Sequence, residues 1–293
     1  VSINGESSTG DIRNTIEDDF VKWITAISEQ DSSFNEIPVY IIAHQGGGIR
    51  GMSWSARVLQ QLDQNIPGFY DHIYAMTGAS GGCNGMICYN TLKYYYPEED
   101  ATKLDTVLDD ILNYDYLTPT LATYIMSEAV QFLSPLPISR FERGKSHANS
   151  FEQGFCQKGS RTMEIPTLSM YEANNNLEHR IPHMLINGTI AERGQKVIYS
   201  TLKLSDEFRS DYDLVKYLNA DEGYPTQDLL IKDAMLVCCR FPYILPGGTL
   251  PISIDSKRSN GNIVDGGYLE NTGIIAALNL ANEIESSYKK YKK

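Results

Sequence analysis

Ser80 stands in Gly78-Ala79-Ser80-Gly81-Gly82, a Gly-x-Ser-x-Gly pattern that closes the apolar run Ile73 to Thr77. An apolar strand, a tight turn and a following helix put such a serine on a strained corner. There, a side chain at either flanking glycine would strike the neighbouring backbone. A second glycine stretch, Gly46-Gly47-Gly48-Ile49-Arg50-Gly51, closes the apolar run Val39 to Ala43. Its N–H groups, with no Cβ in the way, can face a developing oxyanion. A nucleophile beside a donor-rich loop is equipment for acyl transfer.

The serine needs a base. The usual hydrolase order is Ser, Asp and a late His. The histidines here are His44, His72, His147, His179 and His183, and none follows Asp265. Asp265 precedes Gly266-Gly267 at the end of the short apolar run through Ile263 and Val264. Taken alone, it reads equally as a turn-forming Asp-Gly. Beside a serine elbow without a late histidine, it is the candidate base. A partly desolvated carboxylate within hydrogen-bond reach can take the serine proton directly.

Other patterns compete with this reading. Gly46, Gly48 and Gly51 satisfy the dinucleotide fingerprint, and Asp71 falls where a ribose-binding acid is sought. Asp71, however, sits at the amino end of the second strand, whereas the ribose site needs the carboxyl end. Gly144-Lys145-Ser146 lacks the glycine-rich run of a phosphate loop, and Asn187-Gly188-Thr189 abuts a strand, which makes a glycosylation match coincidental. Arg50 admits two readings: a solvated arginine at a helix start, or a cation that fixes the loop or meets a substrate phosphate.

The elements that must carry these residues follow from periodicity. Ile12, Ile16, Phe20, Trp23, Ile24 and Ile27 recur at three- and four-residue spacing, which predicts an amphipathic helix within Asp11 to Gln30 after a polar linker. That helix packs on the domain or lies on a membrane surface, although it lacks the basic face usual for the second role. Helices are expected from Met52 to Gln64, from Gly82 toward Tyr94, through most of Pro97 to Cys156, from Asp228 to Cys239 and from Ile274 to Tyr288. Strands are expected at His183 to Asn187 and Val197 to Tyr199, besides those entering the three glycine turns. Alternating strands and helices imply an α/β fold with a mostly parallel sheet covered on both faces. In such sheets, sites gather at the carboxyl ends of strands.

With 293 residues, 42% of them hydrophobic, the chain can bury a substantial core in one large domain. A net charge of −12 argues against nucleic acid and against electrostatic docking on anionic lipid. Cys83, Cys88, Cys156, Cys238 and Cys239 have no metal-type spacing and read as free thiols of a reducing compartment. No run approaches the length of a membrane span. The chain begins at Val1, so it is taken as a piece of a longer protein whose upstream part can hold an anchor. The Leu-, Tyr- and Phe-rich stretch Thr118 to Ile138 is either a core helix and loop or the wall of an apolar channel. In the second case Leu121, Tyr124, Ile125, Phe132, Leu133 and Leu136 would meet an apolar substrate.

The three motifs together resemble the patatin-like phospholipase family, which shares its core with cytosolic group IV phospholipases. The family's marks are Asp-Gly-Gly-Gly-x-Arg-Gly, Gly-x-Ser-x-Gly and a late Asp-Gly-Gly/Ala. This chain has Gln45-Gly46-Gly47-Gly48-Ile49-Arg50-Gly51, then Gly78 to Gly82, then Asp265-Gly266-Gly267, in that order. The resemblance covers roughly residues 37–290, leaving 1–36 as linker and amphipathic helix and 37–293 as the hydrolase domain. It implies a three-layer α/β/α sandwich, a Ser80–Asp265 dyad and an oxyanion hole from Gly46, Gly47 and Gly48. It also implies no metal or cofactor, and hydrolysis of acyl esters in phospholipids or other lipids. Val264 to Gly273 is similar to bacterial members, some of which carry membrane spans ahead of the hydrolase, so a cytoplasmic or membrane-associated bacterial protein is expected. Gln45 departs from the family aspartate and changes a loop contact. Residues 97–180, where acyl-chain selectivity would be set, match no known pattern. A small-ester or thioester hydrolase and a non-catalytic binding module on the same fold are the alternatives.

Overall fold

The computed structural model describes residues 11–30, 36–97, 101–128, 142–156, 161–173, 180–219, 228–254 and 257–291. The linker 1–10, His179, Phe132, Leu133 and Leu136 lie outside the described residues. Among those described, seven strands form one sheet. Strands β1 (Tyr40–His44), β2 (Ile73–Ala79) and β3 (His183–Ile190) lie side by side and parallel. β4 (Gln195–Ser200) returns antiparallel along β3, and β5 (Tyr212–Asp213) continues parallel to β4. β6 (Gly248–Ile254) and β7 (Lys257–Asp265) form a hairpin, and β7 pairs antiparallel with β3. β2 and β3 are buried along their whole length, which matches the apolar runs Ile73 to Met76 and Met184 to Ile186.

The register around β3 positions the site. β2 accompanies β3 until Ala79 lies opposite Asn187, and then turns away into the next helix. The vacated edge is taken by β7, arriving from the opposite direction and ending with Asp265 opposite Gly188. Two strand ends therefore meet head-on along one edge, held by consecutive residues of a third strand. Each glycine turn does follow the carboxyl end of its strand, as expected. The direction of β7, and the existence of β6, are additions to the sequence reading. β6 contains Pro251 and pairs with β7 alone, the edge position that tolerates proline.

Among the described residues the α-helices are α1 (Ile16–Gln30), α2 (Gly48–Asn65), α3 (Ser80–Tyr95), α4 (Ala101–Leu112) and α5 (Thr118–Ala122), the last running into a π-helical turn, Thr123–Glu128. They continue with α6 (Arg143–Cys156), α7 (Thr167–Ala173), α8 (Leu214–Leu218), α9 (Ile231–Cys239) and α10 (Ile274–Tyr291). One core joins α2, α3, α4, α6 and α9 to the sheet through Met76, Met184, Ile186 and Tyr199. A second joins α1 and α10 to the opposite face through Tyr74, Leu185 and Ile198. The result is a three-layer α/β/α sandwich. A bulge between β1 and β2 serves the second core: Tyr40 lies opposite Ile73 but Ile41 opposite Ala75, so Tyr74 and Ala75 both join it.

α1 is part of this layer. Thr15 begins it, its hydroxyl oxygen accepting Asp18 N–H at 3.1 Å. Ile16, Phe20, Trp23 and Ile27 then pack against Tyr74 and Leu185. Asp19 pins the helix by accepting from His183 Nε2 at 2.9 Å and Arg180 Nη2 at 2.8 Å. All five cysteines are free. No described helix is long and apolar enough to cross a membrane.

Candidate active site

Ser80 is the first residue of α3 and has φ of +51°, a left-handed conformation uncommon outside glycine. The strain follows from the corner itself, because β2 enters and α3 leaves within one residue. Two neighbours show why the corner needs glycine. A Cβ on Gly81 would lie 1.7 Å from the Gly48 carbonyl oxygen, and one on Gly82 would lie 2.1 Å from that of Gln45. The elbow and the β1–α2 loop are thus in backbone contact.

Ser80 Oγ donates a hydrogen bond to Asp265 Oδ2 at 2.7 Å. The other carboxylate oxygen, Oδ1, accepts Gly267 N–H at 2.8 Å, which fixes the plane of the carboxyl group. The Asp265 backbone N–H donates to the Arg240 carbonyl at 3.0 Å, tying the end of β7 to the end of α9. Burial raises the Asp265 carboxyl above its ordinary value of 3.8, and the bonds from Ser80 and Gly267 partly offset that rise. Basicity and reach therefore coincide on one group.

Asn187 supports this arrangement and was missed in the sequence. Its buried Nδ2 donates to Thr77 Oγ1 at 2.9 Å and to the Gly78 carbonyl at 2.8 Å, bracing the strand just ahead of the elbow. That engagement also leaves it unfit as a glycosylation acceptor. Asn187 looked like an ordinary strand residue, and only the β2–β3 register gives it this task.

The glycine loop needs a correction. Gly46 N–H donates to the Asn271 carbonyl at 2.8 Å and is not free for an oxyanion. Gly47 and Gly48 N–H have no acceptor among the described residues. Gly48, with φ of +57°, opens α2, so its N–H is one of the unpaired donors at the positive end of that helix. Arg50 is exposed, lines the cavity rim and has no side-chain partner among the described residues.

Ser80, Asp265 and Gly46 to Gly48 line one cavity of about 870 Å³. Its further walls are mostly apolar: Met52, Tyr116, Leu117, Phe151, Phe241 and Leu245 among them. His147 also lines it, its Nδ1 3.0 Å from Thr120 Oγ1. Burial lowers this imidazole to about 4, so it is neutral at neutral pH. It has no bond to Ser80 or Asp265. His44 ends β1 beside Gly78 and is likewise lowered to about 4 by burial.

The family model for patatin-like phospholipases matches residues 42–278, from within β1 into α10. The chain belongs to the patatin-like phospholipase family. Patatin-like phospholipases are lipid hydrolases, and the match takes in Ser80, Asp265 and the whole glycine loop. Among solved structures the chain is similar to human GIVD cytosolic phospholipase A2 in complex with methyl gamma-linolenyl fluorophosphonate. That similarity is 16% identity and a TM-score of 0.45, covering 75% of this chain and 33% of that one. It is also similar to VipD from Legionella pneumophila, at 14% identity and a TM-score of 0.37, covering 80% of this chain and 47% of that one. The chain thus spans between a third and a half of the length of those proteins. No curated protein matches it.

Proposed function

We propose that this patatin-like chain is a metal-independent serine lipid acyl hydrolase, of phospholipase A or lysophospholipase type, using a Ser80–Asp265 dyad. The observation that carries the proposal is the 2.7 Å bond from Ser80 Oγ to Asp265 Oδ2 at the wall of a largely apolar cavity. As Ser80 Oγ attacks the ester carbonyl, its proton passes to Asp265. The tetrahedral oxyanion is held by Gly47 and Gly48 N–H, with the α2 dipole behind them. Asp265 returns the proton to the departing alcohol, leaving an acyl-serine. A water then gives its proton to Asp265 and attacks the acyl carbon, and the fatty acid leaves as Ser80 recovers its proton. One oxyanion donor is worth about 3 kcal/mol of transition-state stabilisation.

The apolar walls support a long acyl chain as the part of the substrate that enters. Burial of each CH₂ contributes roughly 0.8 kcal/mol, so chain length can be selected by wall contact alone. The test is labelling with a fluorophosphonate probe, followed by a screen of lipid classes. Wild-type protein is expected to label on Ser80 and the Ser80→Ala variant to remain unlabelled, with turnover unaffected by EDTA. Absence of labelling in folded wild-type protein refutes the proposal and favours a binding module on the same fold. Rapid turnover of short esters with none of micellar lipid favours a small-ester hydrolase.

A further inference from the structure

Around the cavity mouth, two short segments present large apolar side chains to solvent. One is the turn after α9, where Tyr243 is 91% exposed and Phe241 and Ile244 are also exposed. The other is the π-helical turn after α5, where Ile125 is 65% and Met126 68% exposed, beside Tyr124. Arg143, the first residue of α6, clasps them together. Its guanidinium lies 4.3 Å from the centre of the Tyr124 ring, and its Nη1 donates to the carbonyls of Tyr243 and Ile244 at 2.7 and 3.1 Å. Tyr243 has φ of +71°, so the clasp holds a non-glycine residue in a conformation rarely adopted, with its ring turned outward. Arg240 secures the far end of the same turn, donating from Nη1 to the Pro246 carbonyl at 3.0 Å.

We propose that these two arms, joined by Arg143, are a docking surface for a zwitterionic lipid surface, seating the cavity mouth directly on it. The proposal rests on the lipid-hydrolase reading and names the physical form in which substrate is met. Continuity with the cavity argues for this occupant, because Phe241, Ile244 and Leu117 belong at once to the exposed rim and to the cavity wall. A lipid moving from such a surface into the cavity would leave no apolar chain in water on the way. The mixture of tyrosine with aliphatic side chains suits a headgroup boundary, where one end of the ring is apolar and the other wet. Charge selects the lipid: a chain carrying −12 is repelled by an anionic surface and not by a zwitterionic one.

The test is sedimentation with phosphatidylcholine vesicles, using Ser80→Ala protein so that the vesicles stay intact. The Tyr243→Ser/Ile125→Ser double variant is expected to bind about tenfold or more weakly. In a chain with Ser80 restored, the same double variant should keep fluorophosphonate labelling and soluble short-ester turnover, because neither residue lines the cavity. Tyr243→Trp gives an independent readout, a blue-shifted emission on adding the vesicles. Wild-type-like binding by the double variant, no binding by the parent, or binding only when phosphatidylglycerol is added would each overturn the proposal. So would a concentration-dependent dimer that the double variant abolishes, which assigns the surface to a second copy. Failure of the hydrolase reading appears separately, as absent labelling and ester turnover while vesicle binding can still be measured.

Discussion

Replacing Asp265 by asparagine changes one atom of the carboxyl group, and the surrounding bonds dictate where that atom goes. Oδ1 accepts Gly267 N–H at 2.8 Å and Oδ2 accepts Ser80 O–H at 2.7 Å. The asparagine oxygen must serve the Gly267 N–H, since an NH₂ there would oppose a second donor. The NH₂ then faces Ser80 Oγ, which becomes an acceptor with no group to take its proton. A positioned general base contributes about 10²–10⁴-fold, or roughly 3–5 kcal/mol of barrier. Asp265→Asn should therefore lose at least a hundredfold in kcat/KM on a soluble p-nitrophenyl ester, and label correspondingly slowly with fluorophosphonate. Stability should move the other way. Burial raises the Asp265 pKa in the folded state, so the native protein holds that proton more tightly than the unfolded chain does. Ionisation thus costs stability as pH rises through the ordinary carboxylate range to the raised value, and the whole cost is present above it. At neutral pH the variant should melt at the wild-type temperature or higher, with the difference vanishing in acid. The wild-type kcat/KM should fall on an acid limb set above 3.8, as the base becomes protonated. Asn-Gly can deamidate back to aspartate, so Asp265→Ala belongs beside it. A folded Asp265→Asn protein, free of deamidation, with more than a tenth of wild-type activity refutes the assignment of the base.

Asn187→Ala removes two buried donors behind the elbow and should cost about 1–3 kcal/mol in urea unfolding for each acceptor left unpaired, with kcat falling more than KM changes. Lost stability with unchanged kcat would make Asn187 a fold residue alone. Glutamine at His44, His72, His147 or His183, one at a time, should leave kcat within a few-fold. A folded His147→Gln protein without activity would replace the dyad by a histidine-dependent site. Asp19→Asn leaves Arg180, which lies over the rings of both Trp23 and Tyr74, without its anion and should cost about 3–5 kcal/mol at neutral pH. Burial pushes the Asp19 carboxyl up, but His183 and Arg180 pull it well below the carboxylate range, and His183 itself is lowered by burial. The Asp19 contribution is therefore present above pH about 4 and is lost as pH falls further. A gap between wild type and variant that persists in strong acid would refute this account of α1.

The three glycine turns were legible because each combines an apolar run with residues whose missing side chain the turn requires. Gly81 and Gly82 would collide with the Gly48 and Gln45 carbonyls if they carried a Cβ, and a sequence reports that directly. α1 and α10 were legible from their periodicity, with starts and stops shifted by a few residues. What could not be read was pairing. Nothing in residues 257–265 says that β7 runs against β3, and Pro251 beside Gly247-Gly248 argues locally against a strand where β6 lies. The commitment of Gly46 N–H to Asn271, the bracing by Asn187 and the place of His147 in the cavity wall are all long-range contacts. They depend on packing that local sequence does not encode.

The two strand ends that meet on β3 bring together side chains 185 residues apart in the chain. Synthesis delivers the amino-terminal part first, so the elbow with Ser80 can form before β7 has been made. Until β7 pairs with β3, the serine has its corner but no acceptor for its proton. A slip of one residue in that pairing would turn the Asp265 side chain to the other face of the sheet, with every site residue still present. In the proposed dyad, reactivity is therefore conferred last, by a strand pairing, and an incomplete or mispaired chain carries a serine without its base.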